Sequence, residues 1–166
     1  MKKMERMFPG EYKLTPRTWQ LPYEYNDLKS FVIEKRVVSM IVKPEAAAQG
    51  RGIYITRRLE DINPSEHLVV QRYMRSPYLI DGYKFDLRIY VLITSWDPLK
   101  IFIYNEGMVR FATEEWDIES GTNYDNLYMH LTNYAINKEN NMIISDNPSE
   151  DIGHKRLLST VMNVSE

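Results

Sequence analysis

The stretch that decides the fold is KFDLRIYVLITS, residues 84–95. Its first half alternates, so that Lys84, Asp86 and Arg88 fall on one face of a strand, and its second half is apolar on both faces. A run that is apolar on both faces is typical of a strand in the middle of a sheet. The sequence therefore predicts one central strand from Phe85 to Ser95.

Further strands are predicted on both sides of this run. After the turn WDPLK, KIFIYNEG (residues 100–107) is the expected hairpin partner, and Met108–Ala112 continues the sheet. Upstream, three β-branched segments are predicted as strands. They are VVSMIVKP (37–44), IYIT (53–56) and HLVVQRYM (67–74).

Helices are expected only at the edges of this sheet. In Tyr23–Arg36 the apolar residues Leu28, Phe31 and Val32 recur at helical spacing, and Lys155–Met162 resembles the start of a second helix. The polar stretches 114–126 and 138–151 are predicted as loops. The fold class is therefore α+β, with strands dominating the middle of the chain.

Composition excludes several classes of protein. The 166 residues suit one ordinary domain, and the absence of cysteine excludes disulfides, thiolate metal sites and a cysteine nucleophile. The net charge of −2 gives no indication of nucleic-acid binding, and no apolar run approaches the roughly 20 residues of a membrane helix. Residues 1–60 nevertheless hold 12 Lys and Arg against 7 Asp and Glu, which suits either an acidic partner or ordinary solvated surface.

The first candidate site combines Lys43 with the loop that contains Gln49, Gly50 and Gly52. Glycines let backbone N–H groups approach phosphate oxygens, and a lysine before them supplies a positive charge. The alternative is a plain hairpin turn that needs glycine.

Two strand segments also carry polar groups. Gln71–Met74, at the end of a predicted strand, could offer backbone groups to a purine, or could be ordinary strand. Lys84, Asp86 and Arg88 on one face indicate either a ligand site or a ladder of salt bridges.

Weaker signals lie further along the chain. Arg110 in an apolar stretch could hold a carboxylate through two hydrogen bonds. Thr132 and Asn133 offer hydroxyl and amide groups at a turn. Lys155 and Arg156 could form a second anion site or an ordinary helix face.

Taken together and in order, three segments resemble the tubulin tyrosine ligase-like family, and most of all its polyglutamylases. They are IVKPEAAAQGRGIYIT (41–56), VVQRYMRSPYLIDGYKFDLRIYVLITSWDPLKIFIYNEGMVRFAT (69–113) and YMHLTNYAINK (128–138). The resemblance implies an ATP-grasp-like fold, with a central and mainly antiparallel sheet flanked by helices. It also implies a reaction in which ATP phosphorylates a carboxylate and an amino group attacks the acyl phosphate.

The resemblance assigns roles to particular residues. It implies nucleotide contacts at Lys43, Gln49, Gly50, Gln71, Arg72, Tyr73, Met74, Lys84, Phe85, Asp86, Thr132 and Asn133. It implies contacts to the incoming amino acid at Arg110, Tyr134 and Lys155, with Arg110 holding its carboxylate.

The chain also departs from the family pattern. The family holds Mg²⁺ with an Asp and a Glu-x-Asn pair in a motif like LLEVN, and nothing after Asn133 has that form. The metal ligands are therefore expected outside this chain, its C-terminal part is expected to be missing, and the chain alone is expected to be inactive and marginally stable. Ala135 stands where many glutamylases have Ser, and Gln49 favours extension of glutamate chains over initiation.

The prediction is thus a partial ligase domain over residues 1–166. An N-terminal segment and helix (1–36) precede a nucleotide-binding sheet (37–137), then a loop and the start of a helix (138–166). Its expected function is to add glutamate to glutamate side chains of tubulin tails, using ATP and Mg²⁺. The expected partners are microtubules and free glutamate, without nucleic acid or membrane, in the cytoplasmic cytoskeleton at a ciliary axoneme or basal body. The alternatives are a tubulin glycine ligase and a non-catalytic module that binds microtubules or the axoneme.

Overall fold

The computed structural model describes residues 2–36, 38–46, 48–117, 123–138, 140 and 154–163. Contacts divide the chain into two compact units, Met1–Ser76 and Pro77–Glu166. Strands in the described ranges form two four-stranded sheets and a separate hairpin, and every strand pair is antiparallel. The predicted mixed class with mainly antiparallel sheets is therefore confirmed, although the strands do not form a single central sheet.

The first unit consists of one sheet and short helices. Its elements are α1 (Lys2–Met7), β1 (Thr18–Gln20), α2 (Tyr25–Lys35), β2 (Met40–Pro44), β3 (Tyr54–Thr56), a 3-10 turn (Leu59–Asp61) and β4 (Leu68–Arg72). The strand order is β1-β4-β2-β3. The three predicted strands and the predicted helix are confirmed, each shorter than expected.

The core of this unit lies between α2 and the sheet. Leu28 is fully buried, and Phe31 and Val32 pack against the same cluster, which confirms the predicted apolar stripe of the helix. The buried cluster comprises Trp19, Leu21, Leu28, Val38, Met40, Val42, Ile62, Leu68 and Val70. Arg17 lies over the Phe31 ring, 4.6 Å from its centroid, and donates two hydrogen bonds to Asp27.

The loop between β2 and β3 contains Gly52. Gly52 has a φ of +68°, which favours glycine, and a Cβ there would lie 3.1 Å from the Pro44 side chain, closer than an ordinary van der Waals contact. The conformation of Gly52 agrees with a turn that needs glycine.

The second unit, over its described residues, holds a sheet, a hairpin and short helices. Its elements are β5 (Leu79–Ile80), β6 (Tyr83–Arg88), β7 (Val91–Trp96), β8 (Leu99–Ile103), β9 (Met108–Phe111), α3 (Leu127–His130), α4 (Tyr134–Asn137), β10 (Lys155–Leu157) and α5 (Leu158–Asn163). The sheet order is β10-β9-β6-β5, and β7 pairs with β8 in the separate hairpin.

The prediction of one central strand from Phe85 to Ser95 is wrong. The run is interrupted at Ile89 and Tyr90, so its first half is β6, inside the sheet, and its second half is β7. The apolar residues of β7 are exposed, for example Leu92 at 61%. A strand that is apolar on both faces is usually covered on both sides. Among the described residues, nothing covers β7 in this way.

The expected hairpin partner and the strand after it are confirmed as β8 and β9. Gly107 precedes β9, and a Cβ there would meet the Arg88 carbonyl oxygen at 2.8 Å, so glycine lets β6 and β9 approach. The predicted helix from Lys155 is partly wrong, because Lys155–Leu157 pairs with β9 as a strand before α5 begins. The predicted 138–151 loop lies almost wholly outside the described residues.

Candidate functional site

In the first unit, the structure brings Lys43 and Gln71 together. Lys43, on β2, donates from Nζ to the Gln71 Oε1 at 3.1 Å, and Gln71, on β4, donates from Nε2 to the Thr18 Oγ1 at 2.9 Å. The two strands are direct neighbours. A half-buried lysine is thus held by neutral groups, so its charge is not neutralised by them.

Burial lowers the pKa of Lys43 from its ordinary value. The cause is desolvation, which disfavours the charged ammonium. A cation kept partly out of water without an acidic partner among these contacts is suited to an anionic ligand.

The other first-unit candidates lie in the loop after β2 and at the end of β4. Gln49, at a φ of 62°, and Gly50, at 87°, lie in the loop between β2 and β3. Arg72 ends β4, Tyr73 is buried and donates its N–H to the Ser39 carbonyl oxygen, and Met74 is 61% exposed.

In the second unit, a pocket collects several candidates that are far apart in the sequence. Its empty volume is about 290 Å³, open solvent at its mouth included. Arg110 of β9, Lys155 of β10, Thr132 and Tyr134 of the α3–α4 segment all line it. We call it the cationic pocket, because Arg110, Lys138 and Lys155 all contribute to its wall.

Arg110 is held by a bidentate ion pair with Asp86. Its Nε donates to the Asp86 Oδ1 at 2.7 Å, and its Nη2 donates to Oδ2. The two residues are direct partners across β6 and β9. The hydrogen bonds to Asp86 raise the pKa of Arg110 further above its already high ordinary value, so the guanidinium stays charged.

Lys155 lies directly over an aromatic ring of the same pocket. Its Nζ is 3.5 Å from the centroid of the Tyr134 ring, a cation–π contact. Lys155 is also the register partner of Arg110 across β10 and β9. The three residues that the family resemblance assigns to the amino acid therefore line one pocket.

Lys84 and Phe85 are engaged in contacts inside the second unit. The Lys84 Nζ donates to the His130 carbonyl oxygen at 2.7 Å and lies 5.6 Å from the centroid of the Trp116 ring. Phe85 packs against the ring of Phe111. Burial is the main cause that lowers the pKa of His130. The His130 Nε2 donates a hydrogen bond to the Asn123 carbonyl oxygen, because a carbonyl oxygen can only accept.

Thr132 and Asn133 precede the single turn α4. The Asn133 carbonyl oxygen accepts the N–H groups of Ile136 and Asn137, so its backbone begins the helix. Thr132 lines the cationic pocket beside the amino-acid candidates, although the sequence assigns it to the nucleotide.

Sequence reasoning missed several residues of this pocket. Thr113 donates to the Asn137 Oδ1 at 3.1 Å, and the Asn137 Nδ2 donates to the Leu131 carbonyl oxygen at 2.9 Å. His154 also lines the pocket, and its buried Nε2 has no hydrogen-bond partner among the described residues. Asn137 could have been found from its place three residues after Tyr134 on a helix, but no local pattern marks His154.

The described ranges contain no group of three His, Asp or Glu side chains placed to hold a metal ion. Of the helices described, none has the length and apolar character needed to cross a bilayer.

The fold and these sites define a class: an α+β protein with antiparallel sheets, which has a half-buried lysine in its first unit and clustered cations in its second. The chain belongs to the tubulin-tyrosine ligase family, whose model matches residues 1–166. The resemblance inferred from the three sequence segments is thereby confirmed.

Several curated proteins are similar in sequence to this chain over nearly its whole length. A probable beta-tubulin polyglutamylase of Tetrahymena thermophila is 52% identical over 168 residues, covering 99% of this chain and 14% of that protein. The human tubulin polyglutamylase TTLL13 is 49% identical, covering 97% of this chain and 19% of that protein. The human tubulin polyglutamylase TTLL6 is 47% identical, covering 96% of this chain and 18% of that protein. The chain thus spans less than a fifth of the length of these relatives.

Proposed function

We propose that this chain is part of an ATP-dependent tubulin polyglutamylase. The observation that carries the proposal is the convergence of Arg110, Lys155 and Tyr134 on one pocket in a chain whose relatives bear that name. Arg110 and Lys155 in one pocket suit a free amino acid with two carboxylates, which describes glutamate.

The proposed reaction has two steps. The γ-phosphoryl group of ATP passes to an acceptor carboxylate of the tubulin tail, giving an acyl phosphate and ADP. The amino group of the incoming glutamate then attacks the acyl carbon, phosphate leaves, the amine loses a proton and an amide bond forms. The acyl phosphate is needed because a carboxylate oxygen is a poor leaving group.

Particular residues have separate roles in this proposal. Lys43, with the loop at Gln49 and Gly50, would hold ATP phosphates, and Gln71–Met74 would border the adenine. The family resemblance also implies nucleotide contacts at Lys84, Phe85, Asp86, Thr132 and Asn133. Arg110 and Lys155 would hold the carboxylates of glutamate. ATP chemistry of this kind uses Mg²⁺, but the described residues offer no ligand group for it, so no step is assigned to them through a metal.

The test is an incorporation assay on the complete gene product. Purified protein is incubated with microtubules, ATP and labelled glutamate, glycine or tyrosine. We expect label from glutamate alone, in the tubulin tails, and location on the cytoskeleton, at the axoneme or basal body in ciliated cells. Incorporation of glycine alone would instead identify a glycine ligase, and ATP-independent microtubule binding without incorporation would identify a non-catalytic module.

The carboxylate role is tested with Arg110→Ala. Loss of a charged hydrogen-bond donor costs about 1.5–3 kcal/mol, so the KM for glutamate should rise about 10- to 100-fold. Arg57→Ala, which removes an exposed guanidinium from the first unit, is the control and should leave this KM unchanged. An Arg110→Ala enzyme with the wild-type KM for glutamate would contradict the proposed pocket.

A further inference from the structure

A buried polar cluster forms part of the wall of the cationic pocket. Thr113, two residues after β9, and Asn137, the last residue of α4, both line the pocket and are only 5% and 4% exposed. A buried polar group costs free energy unless it is hydrogen-bonded, and these two side chains are bonded to each other. The cluster therefore joins the strand that carries Arg110 to the helix that carries Tyr134.

The hydrogen-bond roles in this cluster follow from one carbonyl group. The Asn137 amide lies 2.9 Å from the Leu131 carbonyl oxygen, which can only accept, so the Asn137 Nδ2 faces it. The Asn137 Oδ1 then faces the Thr113 hydroxyl, which donates to it at 3.1 Å. The same hydroxyl accepts from the Asn140 Nδ2 at 3.0 Å. Removal of any one of these groups therefore leaves a buried partner unsatisfied.

Thr113 and Asn137 fasten the α3–α4 segment at three places. The Thr113 N–H donates to a carbonyl oxygen of α3 at 3.0 Å, while its hydroxyl holds Asn137 in α4. The Asn137 side chain reaches back six residues to Leu131, the residue before Thr132. The residues of this segment that line the pocket, Thr132 and Tyr134, lie in the chain between Leu131 and Asn137.

We propose that Asn137, held by Thr113, is a positioning residue for the Thr132–Tyr134 wall of the cationic pocket. The inference deepens the proposed function and rests on it, because it concerns the same amino-acid site. The helices α3 and α4 have four residues each, and an isolated helix of that length is not stable in water. The hydrogen bonds of the buried cluster supply the rigidity that the helices lack, so the amino acid meets a pocket wall that is already in place.

The experiment measures incorporation of labelled glutamate into tubulin by the complete gene product carrying Thr113→Val. Valine has nearly the shape of threonine but lacks the hydroxyl, so Asn137 loses its donor without a large cavity. We expect the KM for glutamate to rise about tenfold, because a displaced wall no longer presents the amino-acid contacts together. Thr113→Ser keeps the hydroxyl and should leave this KM within about twofold of the wild-type value.

Asn137→Asp tests the other partner of the cluster. It places a carboxylate oxygen where Nδ2 donates to the Leu131 carbonyl oxygen, so the two oxygens repel each other and the KM for glutamate should rise at least as far as in Thr113→Val. The two substitutions together should raise this KM no further than Asn137→Asp alone, since both break the same link. Asn63→Asp, the same exchange at an exposed position of the first unit, is the control and should leave this KM unchanged.

A purely structural role of the cluster predicts a different result. Loss of stability lowers the fraction of folded enzyme, so it lowers the apparent kcat and leaves the KM of the remaining enzyme unchanged. A Thr113→Val enzyme with a lower kcat and the wild-type KM for glutamate would therefore overturn the inference. If Asn137→Asp does not fold, Thr113→Val with Thr113→Ser still decides between the two roles.

Two further outcomes count against the inference. A rise in the KM for ATP alone would assign this wall to the nucleotide and not to the amino acid. Effects of Thr113→Val and Asn137→Asp that multiply in the double variant would mean that the two residues do not act as a unit. Wild-type protein that incorporates no glutamate would overturn the proposed function together with this inference, whereas wild-type incorporation with an unchanged KM in both variants overturns this inference alone.

Discussion

At the residue scale, the side chain of Lys43 combines burial with charge. Its ammonium donates to the Gln71 amide oxygen, and burial lowers its pKa. A charged group that is partly desolvated and held by a neutral acceptor costs the fold free energy. Such a cost is typical of a residue that contacts an anionic ligand, and Lys43 remains a candidate for that role.

The replacement Lys43→Met is expected to raise the free energy of unfolding of the chain near pH 7, by up to about 1 kcal/mol. The pKa of Lys43 is lower in the folded chain than in the unfolded chain. At a pH between these two pKa values the unfolded chain binds more protons than the folded chain. The stability of the wild type therefore rises with pH in this range. The advantage of the Met variant should therefore shrink towards about pH 10. Urea unfolding of both proteins near pH 7 and at about pH 10 measures this difference in stability.

Lys29→Met on the exposed face of α2 is the control for this substitution, because it removes the same charge without burial. Its effect should stay within about 0.5 kcal/mol at either pH. A Lys43→Met chain that is less stable than wild type near pH 7 would show that the hydrogen bond to Gln71 outweighs desolvation.

At the scale of elements, α2 shows how one apolar stripe joins a helix to a sheet. Leu28 is the residue of this helix that is completely buried, and it lies in the cluster with Trp19, Met40 and Val70. Ile33, on the same helix, is 65% exposed. The helix is therefore held by the packing of a few side chains on one face.

Leu28→Ala should lower the free energy of unfolding of the first unit by about 2–5 kcal/mol, since it leaves a cavity beneath the helix. Ile33→Ala on the same helix should change it by less than about 0.5 kcal/mol. Trp19 belongs to this core, so with Trp96 and Trp116 replaced by Phe the fluorescence of Trp19 during denaturation reports on this unit. Equal effects of the two substitutions would mean that α2 is not docked as described.

At the scale of the whole molecule, the β7–β8 hairpin exposes a large apolar surface. Leu92 and Phe102 face each other across its strands and are 61% and 57% exposed, and Trp96 is 78% exposed. Apolar patches of this kind mark surfaces that associate. In this chain they indicate a tendency to aggregate.

The chain is therefore expected to self-associate as its concentration rises, measured by sedimentation velocity. Replacing Leu92 and Phe102 together by Thr should shift the protein towards monomer and leave the unfolding free energy of the first unit unchanged, because neither side chain is buried. The control replaces Leu14 and Ile33, which are exposed outside the hairpin, and should not reduce association. Wild-type chain that stays monomeric throughout would contradict the expectation.

Much of the fold follows from local patterns in this sequence. The helical spacing of Leu28, Phe31 and Val32 and the β-branched segments predict α2, β2, β3 and β4, because burial of one face follows directly from periodicity. The resemblance of three segments predicts the family. The sequence pattern could not predict that the run from Phe85 to Ser95 divides into two strands. A run that is apolar on both faces does not show whether other residues pack on it.

The candidate site was also predictable only in part from the sequence. Residue type alone determined that Lys43, Arg110 and Lys155 are candidate anion-binding cations, because a charge belongs to its side chain wherever the chain places it. Only the tertiary structure decided that Asp86 holds Arg110, that Thr132 lies with the amino-acid candidates and that His154 joins them. Those contacts depend on strand register and on the approach of residues far apart in the chain, and no local pattern encodes either.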